Sequence, residues 1–292
     1  MKRFLIFSFF SLSFVCFAFD FPCDVKEPRS FFGQQLFQNT DGLNVAVENG
    51  ITFGNVNVVQ ASDTGEKILV IEKYDSLNDF PSALGNAVVL KHGNGFQTVY
   101  GNLDSVQALE QKISFLKNEN IGHTELTNGE KKKPLIFKVI DVNAKTKNFV
   151  NPVLMLPEIA DAKKCEIKNV FLIDASGKKT LLTTRGNVAS GKYKLFVECF
   201  DTVNNLQTHL SPFELNANLN GNNIANVILQ TLHVQNGTMY VKDNFSIAQL
   251  YQRNNAFYLC DVSLSYGNAK LNIRVRDYNN NAVEVLFDLN VL

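Results

Sequence analysis

The chain has 292 residues with 28 basic and 28 acidic side chains, 45% hydrophobic and 19% charged residues. That length suggests about two domains, each with room for a core, and the composition excludes a disordered or highly charged linker protein. A formal net charge of zero argues against a general nucleic-acid binder, which carries a basic excess to meet phosphates. Twenty-four Phe and eight Tyr, with no Trp and only seven Pro, suit a β-rich chain.

Met1-Lys2-Arg3 gives a positive start, and residues 4–19 are almost wholly apolar or Ser. A charged start, an apolar run and Ala18 near its end form a secretory signal, with cleavage expected after Ala18. The run is shorter than the roughly 20 residues of a spanning helix, so no stable transmembrane anchor is expected after cleavage. Cys16 matches a lipidation site poorly, because Val15 stands where a small residue is usual. The expected location is the periplasm or cell envelope.

Cys23, Cys165, Cys199 and Cys260 remain after the signal, an even number in a compartment that permits disulfides. Alternation puts Cys199 with Tyr193, Leu195 and Val197, and Cys260 with Tyr258, Val262 and Leu264. Either a Cys199–Cys260 bridge between sheets or two buried thiols fits this pattern. No CxxC occurs, which removes simple zinc-ribbon and thioredoxin readings.

Along the chain, strands dominate. Residues 87–90, His92-Gly93-Asn94-Gly95 and residues 96–100 read as a β-hairpin whose glycines allow a tight turn. Residues 67–72 and 134–140 are further strands, and only 105–116 tempts a helical reading. From 158 onward, residues 192–200, 213–219, 227–234, 257–264, 271–276 and 283–291 alternate or run apolar between Gly and Asn turns, the signature of a β-sandwich. A short helix is expected at 246–252. The expected organisation is a signal at 1–18, an all-β domain at 28–157 and a sandwich at 158–292, packed together because few residues separate the two.

Phe32-Gly33, residues 40–44 (TDGLN), 85–103 (GNAVVLKHGNGFQTVYGNL), 119–122 (ENIG), 134–138 (PLIFK) and 150–157 (VNPVLMLP) together resemble the lysostaphin-like, LytM-type zinc metalloendopeptidases of peptidoglycan. The resemblance implies a duplicated-hybrid-motif-like β-sheet core. In that family zinc is held by the His and Asp of HxGxD and the second His of HxH, while the first His of HxH and the His of YxHL assist catalysis. The matching positions here are Thr40, Asn44, Ile136, Pro134 and Asn102. A catalytic zinc takes about three imidazole, carboxylate or thiolate ligands, and the matched set supplies none. The resemblance therefore implies a non-hydrolytic homologue that has lost the family zinc and holds no cofactor.

His92 falls before the GNG turn and reads as structural; His123 reads as exposed, and His209 and His233 lie in the second domain. Lys131-Lys132-Lys133 either touches an anionic polymer near the old groove or forms a solvated hairpin loop. Residues 191–197, 211–213, 219–221 and 275–277 resemble the Ig-like module that follows such peptidase domains. The expected partner is peptidoglycan, or a cell-wall hydrolase or division protein. Two alternatives stay open: an active zinc endopeptidase with differently placed ligands, and a surface adhesion module carried by the sandwich.

Overall fold

The computed structural model describes residues 18–24, 27–38, 45–74, 81–127, 131–144, 148–203, 208–242, 244–253 and 256–292. Residues 1–17 of the expected signal, Cys16 among them, lie outside the described residues. The fold is all-β.

The first sheet grows around the hairpin foreseen in the sequence. Strands Asn86–Lys91 and Phe96–Leu103 pair antiparallel. Gly95 takes a φ of 84° in the turn, and Asn94 Oδ1 accepts from the Phe96 N–H at 3.2 Å, as tight turns built on Asn and Gly do. Strand Leu135–Asp141 lies against this hairpin, with Ile136 opposite Gly101 and Phe137 opposite Tyr100. Its other edge takes Ile51–Phe53 at one end and Asn148–Val150 at the other. Alternation sends Leu135, Phe137 and Val139 inward, where they meet Ile51, Phe53, Val88, Leu90 and Tyr100 in one buried cluster. The tempting helical stretch forms only a 3₁₀ turn at Gln107–Leu109 and a short strand at Ser114–Phe115.

The second unit is a two-sheet sandwich. One sheet runs Lys179–Leu181, Glu166–Asp174, Gly191–Phe200, Phe257–Leu264; the other runs Arg185–Val188, Ala282–Val291, Gly267–Arg276, Glu214–Leu219, Asn222–Ile228. All of these neighbours are antiparallel except Arg185–Val188, which pairs parallel with the final strand. This is an Ig-like arrangement, with Leu172, Leu195 and Val197 facing Leu215, Ile273 and Val275 in a shared core. The foreseen short helix is Ile247–Leu250, opened by a capping box in which Ser246 and Gln249 exchange side-chain and backbone bonds.

One expected strand is divided. The apolar run 227–234 breaks between Asn222–Ile228 and Thr231–Gln235. The chain leaves the sandwich there, and Thr231, Leu232 and His233 pair with Val150, Phe149 and Asn148 of the first sheet. Both halves send apolar side chains, Val227 and Leu232, into the same buried cluster, so alternation does not mark the change of partner. The two units also share cores: Phe32 packs in the sandwich cluster, while Val203 and Leu210 pack in the first. Buried Tyr251 donates to the Gly33 carbonyl at 2.6 Å.

Asn151 closes this junction. Its N–H donates to the Gln230 carbonyl at 2.9 Å, and its Nδ2 donates to the Leu229 carbonyl at 2.8 Å. Asn151→Ala leaves that buried carbonyl without its donor and is expected to cost about 1–3 kcal/mol, read as a lower urea midpoint at unchanged slope.

Candidate functional site

Three of the five positions matched to peptidase function come together in the structure; Thr40 and Asn44 lie outside the described residues. Asn102 sits near the end of strand Phe96–Leu103 with a φ of 61°. Its Nδ2 donates to the Pro134 carbonyl at 2.9 Å, and its own carbonyl accepts from the Glu125 N–H at 2.8 Å. Ile136 lies between Gly101 on one side and Thr52 on the other. A Cβ at Gly101 would stand 3.2 Å from the Ile136 Cβ and 2.8 Å from the Leu84 carbonyl, so the glycine lets this corner close.

The donor set at this corner is an amide, a pyrrolidine and a branched alkane. None provides an imidazole or carboxylate, so the described part of the site does not fit a catalytic zinc. Asn102 is also committed to holding the backbone, its side chain bridging to Pro134 where a catalytic group would have to stay available.

The charged groups beside it form a different pattern. Glu125 Oε1 takes Lys73 Nζ and Oε2 takes Lys133 Nζ, each at 2.6 Å. Hydrogen bonds from Lys133 and Lys73 hold the Glu125 carboxyl below its usual range, and the bond to Glu125 raises Lys73. Lys131–Lys132 is a short strand paired with Leu126–Thr127, so the lysine run is part of a hairpin and not only a loop. Lys132 Nζ donates to Asn57 Oδ1; the side chain of Lys131 is outside the description. Lys73 and Lys133 thus flank one carboxylate while Lys132 is turned to Asn57, leaving an excess of positive charge on this surface. Sequence reading missed Lys73 and Glu125 because nothing local links residues so far apart.

Under the hairpin runs a buried polar relay. His92 Nδ1 faces the Thr64 carbonyl at 2.9 Å and Nε2 faces Thr98 Oγ1 at 2.8 Å. A carbonyl only accepts, so Nδ1 carries the proton and Nε2 accepts from Thr98. Thr98 Oγ1 also lies 3.1 Å from Tyr100 OH, and Tyr100 OH accepts from the Ser62 N–H at 2.9 Å. Burial lowers the His92 pKa, which keeps the ring neutral. His92 is structural, tying the turn to the core. His123 is exposed; His209 stacks on Phe200 at 3.7 Å and His233 on Tyr240 at 5.2 Å.

The cysteine pairing is corrected by the fold. Cys165, Cys199 and Cys260 are free thiols. Cys199 and Cys260 lie on adjacent strands of one sheet, not across the sandwich, and Cys260 pairs with Leu195. Four residues separate Leu195 from Cys199, about 13 Å along a strand, too far for a bridge. A bulge between the Leu195 and Phe196 pairings resets parity, so Phe257 and Leu259 join Val262 and Leu264 in the sandwich core, against which partly buried Cys260 also packs. Tyr258 therefore points to the opposite face, in a cluster with Phe171 and Phe196.

An acidic group escaped sequence reading altogether. Carboxylate oxygens of Asp161, Asp201 and Asp277 lie within 4.8 Å of one another, beside the Cys165 thiol, which donates to Asp201 Oδ1 at 3.7 Å. Asn281 secures Asp277 through its N–H and Nδ2, both at 2.7 Å. Burial, then repulsion from Asp277 and Asp161, pushes the Asp201 pKa up to about 7. The residues belong to a connection, a strand end and a turn, so only the fold assembles them.

Three comparisons bear on kinship. A protein-family profile that carries no description matches residues 164–292, less than half of the chain. An uncharacterized protein of Treponema pallidum (strain Nichols) is 34% identical over 93 residues, which span 30% of this chain and 59% of the relative. Among solved structures, the solution structure of lysostaphin aligns over 88% of this chain and 96% of its own at 12% identity and a TM-score of 0.29. The extracellular domain of the putative one component system BT4673 from B. thetaiotaomicron aligns over 91% of this chain and 31% of its own at 13% identity and a TM-score of 0.24. Scores this low leave the description of the fold to the strand pairings given above.

The Asp201 cluster makes stability depend on pH. A carboxyl raised from 3.8 to about 7 in the folded state contributes stability below the lower value and loses it as pH rises to the upper one. Asp201→Asn keeps an oxygen for the Thr202 N–H, which donates at 2.8 Å. The variant is expected to melt several degrees higher than the parent at about pH 8, and to show no gain near pH 4.

Proposed function

We propose that the protein is an exported, non-hydrolytic relative of the peptidoglycan endopeptidases that docks on the cell wall through the rim of the former catalytic groove. The carrying observation is the corner where Asn102, Pro134 and Ile136 meet: the ordered motif residues of the resemblance surround a site whose side chains offer zinc nothing. What that corner does offer is the lysine group at Lys73, Lys132 and Lys133. Ammonium groups suit the carboxylates of peptidoglycan peptides, as point charges with three donors each. A regulator of a cell-wall hydrolase or division complex would use the same surface, since such enzymes meet the same polymer.

Export is supported by the charged and apolar start of the chain and by the fold that follows it. Phe19 is fully buried, its N–H donating to the Met155 carbonyl at 3.0 Å and its ring 5.0 Å from that of His92. Cleavage after Ala18 would keep this core residue. No helix among the described residues is long and apolar enough to cross a membrane.

Purified full-length mature protein is expected to co-sediment with isolated sacculi and to release no soluble peptide from them. Binding should weaken as salt rises, because exposed ammonium–carboxylate contacts are screened. Lys132→Glu combined with Lys73→Glu should lower it several-fold. Failure to sediment, or binding indifferent to both salt and charge reversal, contradicts the docking surface; peptide release contradicts the non-hydrolytic reading.

A further inference from the structure

Strand Gly65–Ile71 lies near one margin of the large sheet. Its inner edge pairs with Asn86–Lys91. Its outer edge is covered by Ser114–Phe115 only at Gly65 and Glu66, with the Lys67 N–H donating to the Ile113 carbonyl at 2.8 Å. Past Lys67, no strand among the described residues takes that edge. Open edges are usually blunted by a charge, a proline or a covering element. This one instead shows Ile68 and Leu69, 45% and 50% exposed, with Ile113 beside it at 78%.

The residues along the edge read Glu66-Lys67-Ile68-Leu69-Val70-Ile71-Glu72-Lys73. We infer that a second copy of this chain pairs antiparallel with this edge, forming a two-fold dimer centred on Val70. A two-fold axis normal to a sheet pairs residues that share a face, which sets Val70 opposite Val70 and Leu69 opposite Ile71. The register with Asn86–Lys91 shifts between Lys67 and Leu69, so Ile68 is an extra residue and Lys67 and Ile68 occupy one position. That position falls opposite Glu72 of the second copy. Lys67 therefore meets Glu72 twice, once on each side of the axis.

The alternatives match poorly. Slipping by two positions sets Glu72 against Val70 and Lys73 against Leu69 in one direction, and Glu66 against Ile71 in the other. Slips by one turn the side chains to the wrong face. Lys67 Nζ is held by the carbonyls of Leu109 and Glu110 at 2.5 and 2.7 Å, which fixes its ammonium while leaving its charge uncompensated. Glu72 has no ion-pair partner among the described residues. Backbone pairing runs over Leu69, Val70 and Ile71 of each copy, since Ser114–Phe115 occupies the edge before them. Such a contact is small, and the dimer is accordingly concentration-dependent.

Sedimentation-velocity runs on the full mature chain over a concentration series test this, with circular dichroism and melting temperature confirming that each variant folds. The parent should pass from monomer to dimer. Leu69→Lys should abolish the dimer, and Glu72→Lys, which sets like charges opposite, should weaken it about tenfold or more. Adding Lys67→Glu to Glu72→Lys restores opposite charges and should recover most of the affinity; should that double variant misfold, the two single variants decide. A parent that stays monomeric at the highest soluble concentration overturns the inference. So does a dimer that survives both Leu69→Lys and Glu72→Lys.

Discussion

Strand Leu135–Asp141 is the constraint on which the rest depends. It pairs with the hairpin strand Phe96–Leu103 along one edge, and with Ile51–Phe53 and Asn148–Val150 along the other. Its inward residues Leu135, Phe137 and Val139 are buried, and burying side chains of that size contributes about 1.5–3 kcal/mol each. The half-buried outward face carries Ile136 and Lys138. The same pairings that secure the core therefore fix which side chains stand beside Asn102 and Pro134. Through Asn148–Val150 the strand is also coupled to Thr231–Gln235, so the sandwich is built onto the sheet and not hung from it.

This coupling explains why the connection near Leu156 and Pro157 needs no length. The sandwich reaches back along three routes: the paired strand, the Asn151 bonds to the Leu229 and Gln230 carbonyls, and Tyr251 to Gly33. Phe32 sits in the core of the sandwich, so the early chain threads into the late one. Two units with shared cores are expected to unfold together.

Much of the architecture was legible in the residues. The His92-Gly93-Asn94-Gly95 turn announced its hairpin, and the sandwich strands from Gly191–Phe200 onward followed from period-two alternation, whereas Glu166–Asp174, Lys179–Leu181 and Arg185–Val188 were not singled out. What escaped was long-range or depended on a break in the period. Residues 227–234 look continuous because both sheets bury apolar side chains. Tyr258 was assigned to the wrong face because a bulge resets parity between it and Cys260, and the sequence carries no mark of it. The carboxylates of Asp161, Asp201 and Asp277, and the lysines around Glu125, come from segments with no local relation, so only the folded chain brings them together. At the candidate site, Asn102, Pro134 and Ile136 come from motif positions far apart in the chain and stand together in the fold, while their surroundings required the structure.

The proposed non-hydrolytic reading requires that the positions matched to the peptidase ligands hold no zinc. Zinc binding by equilibrium dialysis tests it most directly, comparing the parent with the variant Thr40→His, Asn44→Asp, Ile136→His, which restores the three ligand types in place. The account predicts no tightly held zinc in the parent and one equivalent in the folded variant. Stoichiometric zinc in the parent, or none in a variant that folds as the parent does, would contradict it.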